Sequence, residues 1–239
     1  MNNFILNKCD KSSVNILDLL QENNKSNLID FFNSNSTWAS AVLDSINQRL
    51  EILELLTPNT DIMIDVGAHI GLFSLFAEPF CKNIYCLEPT TKHFDMLKLL
   101  VDNYPKIKVF KLALGINNEE LDFYEDMVNN TQNSLIPHQQ SIKSGTVKTI
   151  NLSNFLIENK LNQIDLLKMD IEGFELPLIL HESFNIVSHK INKIYIETHN
   201  IEFGPLKCHQ SQNQNLINQK LIRLGFTIKN INDIILARK

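Results

Sequence analysis

Up to about residue 58 the apolar positions recur at helical intervals. Ile16, Leu19, Leu20, Leu28, Phe31 and Phe32 fall in one amphipathic stretch, and Leu43, Ile46, Leu50, Leu53 and Leu56 repeat at three- and four-residue spacings in a second. Pro58 is expected to close that second helix. From Asp61 the pattern changes to short apolar runs at residues 62–66, 84–87, 107–112, 164–169 and 194–196. Between and after them lie amphipathic segments at 72–80, 91–103, 153–160, 174–184 and 213–224. Strands without polar alternation are covered on both faces, as in parallel sheets flanked by helices. Shorter β-prone pieces at 121–124 and 146–152 read as an insertion between the third and fourth core strands, and 226–231 with 234–237 as a closing hairpin after Gly225. The pattern predicts an α/β domain over residues 59–239, built on an open seven-stranded, mostly parallel sheet with an antiparallel last strand. A helical segment, residues 1–58, precedes it.

Composition narrows the classes. The chain has 239 residues, 44% of them hydrophobic and 21% charged, which is ordinary globular usage and disfavours a disordered chain. A net charge of −5 argues against a nucleic-acid-coating protein, which carries a basic face. No run of about 18 apolar residues is present, so no membrane-spanning helix is expected. The first residues, Met1 to Lys8, lack both the basic and the apolar part of a secretion signal. Cys9, Cys81, Cys86 and Cys208 form no C-x-x-C pair, so reduced thiols in a cytoplasmic protein are expected.

The strongest local signal is Ile62-Met63-Ile64-Asp65-Val66-Gly67-Ala68-His69-Ile70-Gly71, directly before an apolar helix. A strand ends in an acid, the chain turns on Gly67, and Gly71 lets the helix approach. Dinucleotide loops read G-x-G-x-x-G; this one reads D-x-G-x-x-x-G. An aspartate just before the turn repels a pyrophosphate and suits a ligand with an ammonium group, such as the methionine part of S-adenosylmethionine. The second strand then ends in Leu87-Glu88-Pro89, where an acid can accept both ribose hydroxyls. These features favour S-adenosylmethionine over NAD.

Residues 64–71, then 87–89, then Asp165-Leu166-Leu167-Lys168-Met169-Asp170-Ile171-Glu172-Gly173-Phe174-Glu175 resemble the FkbM family of S-adenosylmethionine-dependent methyltransferases over roughly residues 61 to 200. The D-x-G-x-x-x-G loop marks only the broad methyltransferase class; the K-x-D-x-E-G-x-E segment is much more specific. The resemblance implies a Rossmann-like class I methyltransferase fold and O-methylation of a hydroxyl on a sugar, a glycan or a natural product. It implies cofactor contacts at Asp65, Gly67, Ala68, His69, Gly71, Glu88, Pro89 and Asp170, with Ala113 beside the adenine ring. His69 stands where the family usually has asparagine. Asn133 and Ser134, in the polar loop 129–134, either reach the cofactor or acceptor from above or belong to a solvated loop.

In an open parallel sheet ligands sit beyond the carboxyl ends of the strands, which places Asp170, Glu197 and His199 on the rim shared with Asp65 and Glu88. His199 is the expected general base, with a pKa near its ordinary 6.5, and Asp170 and Glu197 orient it or bind the hydroxyl. In a second arrangement, Asp170, Glu197 and His199 hold Mg²⁺ or Mn²⁺, although two carboxylates and one imidazole suit these ions less well than oxygen alone. The metal-free base is preferred. Glu172 and Glu175 are expected to favour the start of the following helix through its dipole, and Lys168 to pair with a nearby carboxylate. His93, His138, His181, His189 and His209 make no ligand spacing and receive no role. Residues 1–58 are expected to cap the cofactor rim or to form a homodimer contact, since so wide an apolar stripe must be buried. Competing readings are an inactive cofactor-binding scaffold, a methyltransferase acting on a protein or small-molecule nitrogen, and an NAD-dependent oxidoreductase. The last lacks its glycine fingerprint.

Overall fold

The computed structural model describes residues 52, 54–57, 60–126, 132–205 and 207–239. The expected amino-terminal helices, including Pro58, otherwise lie outside the described residues, as do Asn129, Asn130 and Thr131 of the polar loop.

The apolar runs form seven strands of one sheet: β1 (Thr60–Val66), β2 (Cys81–Leu87), β3 (Ile107–Phe110), β7 (Ile164–Met169), β8 (Ile191–Glu197), β9 (Thr227–Ile231) and β10 (Ile234–Arg238). Their order is β3-β2-β1-β7-β8-β10-β9, and β10 alone runs antiparallel to its neighbours β8 and β9. Three shorter strands, β4 (Ala113–Leu114), β5 (Glu120–Asp126) and β6 (Ser141–Ile150), make a separate sheet in the order β4-β6-β5. This is the insertion between the third and fourth core strands. Among the described residues six α-helices pack on the main sheet or connect it: α1 (Leu72–Ala77), α2 (Thr91–Val101), α3 (Leu152–Glu158), α4 (Glu175–Leu180), α5 (Glu182–Ser188) and α6 (Gln210–Arg223).

Side chains alternate along each strand, so one strand feeds two cores. Met63, Ile84, Cys86, Leu166 and Tyr195 join one apolar cluster with α1, α2 and Ile52, Leu55 and Leu56. Ile64, Tyr85, Leu87, Leu167, Met169 and Ile194 join the other, with α3, α4, α5 and α6. That double coverage is why the strands read as continuous hydrophobic runs.

Among the boundaries that differ from expectation, two have a plain local cause. The third strand ends at Phe110 rather than 112, because Ala113 and Leu114 turn away to pair with Thr149 and Ile150. The expected helix 174–184 is two helices. His181 adopts an extended backbone (φ −66, ψ 148), and its ring accepts the Ser183 N–H to cap α5.

The strand order reverses between β1 and β7, and this switch point fixes the site. Here the chain leaves β1 through Gly67, at φ +72. A Cβ on Gly67 would lie 1.9 Å from the Asp170 carbonyl oxygen. Gly71, at φ +86, starts α1, and its missing Cβ makes room for Leu97 of α2. Gly67→Ala should therefore cost about 2–5 kcal/mol, combining backbone strain with overlap against main chain that cannot rotate away. Urea unfolding should show a clear drop in midpoint with little change in slope; a midpoint within error of the parent would contradict the close approach.

Candidate active site

Beyond the carboxyl ends of β1, β2, β7 and β8 lies a cavity of about 570 Å³, within the usual range for small-molecule sites. Gly67, Ala68, His69, Glu88, Pro89, Ala113, Ser134, Asp170, Glu197 and His199 all line it. Asp65 and Gly71, also expected to contact the cofactor, do not line it: Gly71 serves helix packing, and Asp65 is sealed beneath the cavity floor with no exposed surface.

Asp65 faces Lys168 directly across the β1–β7 register. The Lys168 Nζ lies 3.0 Å from Asp65 Oδ1 and donates to the Gly67 carbonyl at 2.8 Å; Ser74 Oγ donates to Asp65 Oδ2 at 2.7 Å. Burial alone would lower the Lys168 pKa, but Asp65 and Asp170 hold it above the ordinary lysine value. The charge on this lysine therefore braces the turn that begins the site.

The glycine turn is tied to β2 as well. Gly67 and Ala68 N–H both donate to the Leu87 carbonyl, at 3.0 and 3.1 Å. Glu88, only 5% exposed, accepts the His69 N–H at 2.9 Å through Oε2 and the Thr90 N–H at 2.8 Å through Oε1. Burial pushes the Glu88 carboxyl up, but His93 and Thr90 outweigh it and keep the pKa below the ordinary value. A carboxylate has about four lone-pair sites, so two backbone bonds leave capacity for a ligand. His69 sits at φ 53, a conformation that asparagine and histidine tolerate better than most residues. Burial, with His93 and Lys168 nearby, keeps its ring neutral.

The opposite rim is acidic. Glu175 opens α4 with no exposed surface, and it accepts the Ile171 N–H at 2.8 Å and the Gly173 N–H at 2.9 Å. Its Oε1 also lies 3.1 Å from His199 Nδ1. The other ring nitrogen, Nε2, is 3.6 Å from Asp170 Oδ1, 3.4 Å from Glu172 Oε2 and 3.5 Å from Glu197 Oε1. Burial disfavours a charged imidazole, but Glu172 and Glu175 overcome it and raise His199 well above 6.5. Burial also raises Glu172, to about 8. The expectation of a His199 pKa near 6.5 is corrected: the surrounding carboxylates hold it higher.

Several residues of the site escaped the sequence reading. Glu172 and Glu175 were expected to serve the helix dipole, yet both face His199. Glu172 stands at φ 53 and its carbonyl accepts from Ser134 Oγ at 2.9 Å, which turns its side chain inward. The Ser134 hydroxyl is thereby spent on holding this turn. Asn133 accepts the Asp126 N–H at 3.0 Å and donates to Thr90 Oγ1 at 3.4 Å, so it joins the insertion to the β2 end. His93 and His138, given no role, line the cavity. The repeated acid spacing of Asp170, Glu172 and Glu175 was the available signal; nothing in the sequence marked His93.

Residues 65–228 match the family model of the methyltransferase FkbM domain. No curated protein matches. Among solved structures, a methyltransferase FkbM from Methylobacillus flagellatus superposes with a TM-score of 0.51 at 18% identity, covering 75% of this chain and 44% of that one. The present chain thus spans less than half of that relative. A precorrin-6y C5,15-methyltransferase from Geobacter metallireducens gives 0.45 at 13% identity over 80% and 88% of the two chains. A fibrillarin pre-rRNA processing protein from Methanococcus jannaschii gives 0.45 at 11% over 75% and 66%. No helix among the described residues is long and apolar enough to cross a membrane.

The buried pair yields a direct test. Lys168→Met should strand the Asp65 charge and lower stability by about 3–5 kcal/mol. Because the folded-state pKa of Lys168 is raised, its contribution is complete below about pH 10.5 and fades only as pH rises through the folded value. Urea midpoints at neutral pH that match for parent and variant would refute the bracing role.

Proposed function

The chain belongs to the FkbM methyltransferase family, and from that premise we propose that it transfers the methyl group of S-adenosylmethionine to a hydroxyl of a small molecule, glycan or natural product. The reading is carried by one observation: the glycine turn, Glu88 and the acidic rim of Asp170, Glu172 and Glu197 converge on a single cavity. Such a surface suits a ligand with ammonium and sulfonium charges and disfavours a pyrophosphate. The cavity volume and the remaining lone pairs of Glu88 fit the adenosyl part.

In this reading Glu88 accepts the ribose hydroxyls, Gly67 and Ala68 admit the methionine end to close backbone approach, and Asp170 faces the ammonium group. Pro89 and Ala113 border the base. His69, neutral and fixed by the Glu88 bond to its N–H, walls the same end. When bound, the cofactor supplies an electrophilic methyl group for in-line displacement. The chain then has two tasks: to hold the acceptor hydroxyl on the rim, and to take up its proton. The carboxylates around His199 offer acceptor oxygens for both, and a positioned proton acceptor is worth about 10²–10⁴-fold in rate.

Isothermal calorimetry should show binding of S-adenosylmethionine and S-adenosylhomocysteine but not of NAD. Glu88→Ala should weaken both by about 1.5–3 kcal/mol, the range for a hydrogen bond to a charged group. Wild-type affinity in Glu88→Ala, or preferential binding of NAD, would overturn the assignment.

A further inference from the structure

The rim holds an arrangement that proton uptake does not require. His199 Nδ1 is committed to Glu175, and Glu175 is fixed as an acceptor by two backbone N–H groups. The ring therefore presents Nε2, in a defined orientation, to oxygens of Asp170, Glu172 and Glu197 at 3.4–3.6 Å. None of these three contacts has the length of a charge-assisted hydrogen bond, about 2.7–2.9 Å. Donors sharing an octahedral shell stand about 3–4.5 Å apart, given metal–oxygen distances near 2.1 Å. Donor atoms of Asp170, Glu172 and His199 all lie within 4.8 Å of one another.

We propose that Asp170, Glu172 and His199 Nε2 form a binding site for one divalent cation, of the Mn²⁺ and Mg²⁺ class, with the Glu197 carboxylate beside it. Three observations support it. The cluster contains an imidazole nitrogen as well as carboxylates, and imidazole is a metal ligand in its own right. A carboxylate holds the far side of that ring, the outer partner that metal-bound histidines almost always have. The local charge also calls for a cation: four carboxylates crowd one ring, while the nearest lysine, Lys168, is 3.9 Å from Asp170 and already paired with Asp65. Two carboxylate donors make the site hard, and the single nitrogen favours Mn²⁺ over Mg²⁺.

The elements that build it are rigid. Asp170 directly follows β7, Glu197 ends β8, and the turn carrying Glu172 is pinned by Ser134 and Glu175. The site opens on the same cavity as Glu88, so remaining coordination positions face the place proposed above for the acceptor. A hydroxyl bound there would be acidified as metal-bound water is, its proton passing to a carboxylate oxygen outside the shell. That role rests on the methyltransferase reading; the binding site itself does not.

The test uses the full chain, stripped with EDTA and free of cofactor, titrated with Mn²⁺ alone. Disappearance of the free-ion electron paramagnetic resonance signal should report one tight equivalent. Pulsed measurements on the bound ion should show coupling to a nitrogen nucleus. Glu172→Gln should weaken binding about 10-fold or more, His199→Gln should remove the nitrogen coupling, and Glu158→Gln on exposed α3 should change neither. Absence of a tight equivalent, or a bound ion without nitrogen coupling in the parent protein, overturns the proposal whether or not any variant folds. Binding unchanged in both site variants overturns it too. Calorimetry with S-adenosylmethionine reads the cofactor assignment separately, so either can fail alone.

Discussion

The site depends on a buried charge pair between the two central strands. Lys168 and Asp65 are register partners on β7 and β1, at the point where the strand order reverses. Strands at such a switch diverge beyond their carboxyl ends and leave a crevice. The lysine bridges that divergence at its root, with one contact to Asp65 and another to the Gly67 carbonyl. A pair this deep is not an efficient source of stability, since desolvation offsets most of the attraction. Its value is orientation: it sets the direction in which the chain leaves β1, and every ligand-facing group at that end follows from it.

From that root the two halves of the rim differ in character. On the β1–β2 side the polar groups are largely satisfied by backbone, and Glu88 binds the turn it helps to shape. On the β7–β8 side, carboxylates from the turn after β7 and from the end of β8 converge on one imidazole nitrogen at 3.4–3.6 Å. The first arrangement suits a site that recognises a fixed ligand. The second concentrates negative charge where a reaction would occur, and a cation or a proton must answer it. The insertion joins the halves, with Asn133 bonded to Thr90 after β2 and Ser134 to the turn after β7.

Much of the fold was legible because burial on both faces leaves a plain trace in sequence. The runs at 62–66, 84–87 and 164–169 could not belong to strands with a wet face. The starts of β2 and β8 were missed: Lys82 and Asn83, Asn192 and Lys193 are polar residues at the lower edge of the sheet, where pairing continues after the core has ended. The first half of β6 was missed for a related reason, since 142–146 are exposed and pair only within the insertion. For the site, the end of a strand told which rim a residue occupies but not which face it takes. Asp65 was read as a ligand contact on the strength of its place beside the turn. Strand alternation puts it instead on the α1 side, next to Ser74 and Lys168. Glu172 was read as a helix-start acid because nothing in the letters Asp-Ile-Glu-Gly discloses a positive φ at the glutamate.

If the crevice rooted on Lys168 and Asp65 holds the cofactor, a crystal structure of the complex with S-adenosylhomocysteine should show it there. Ribose hydroxyls are expected within hydrogen-bond distance of Glu88, the amino-acid end beside Gly67 and Asp170, and Asp65 still bound to Lys168 without touching the ligand. Nucleoside density elsewhere in the chain, or a Glu88 carboxylate turned away from the ribose, would contradict it.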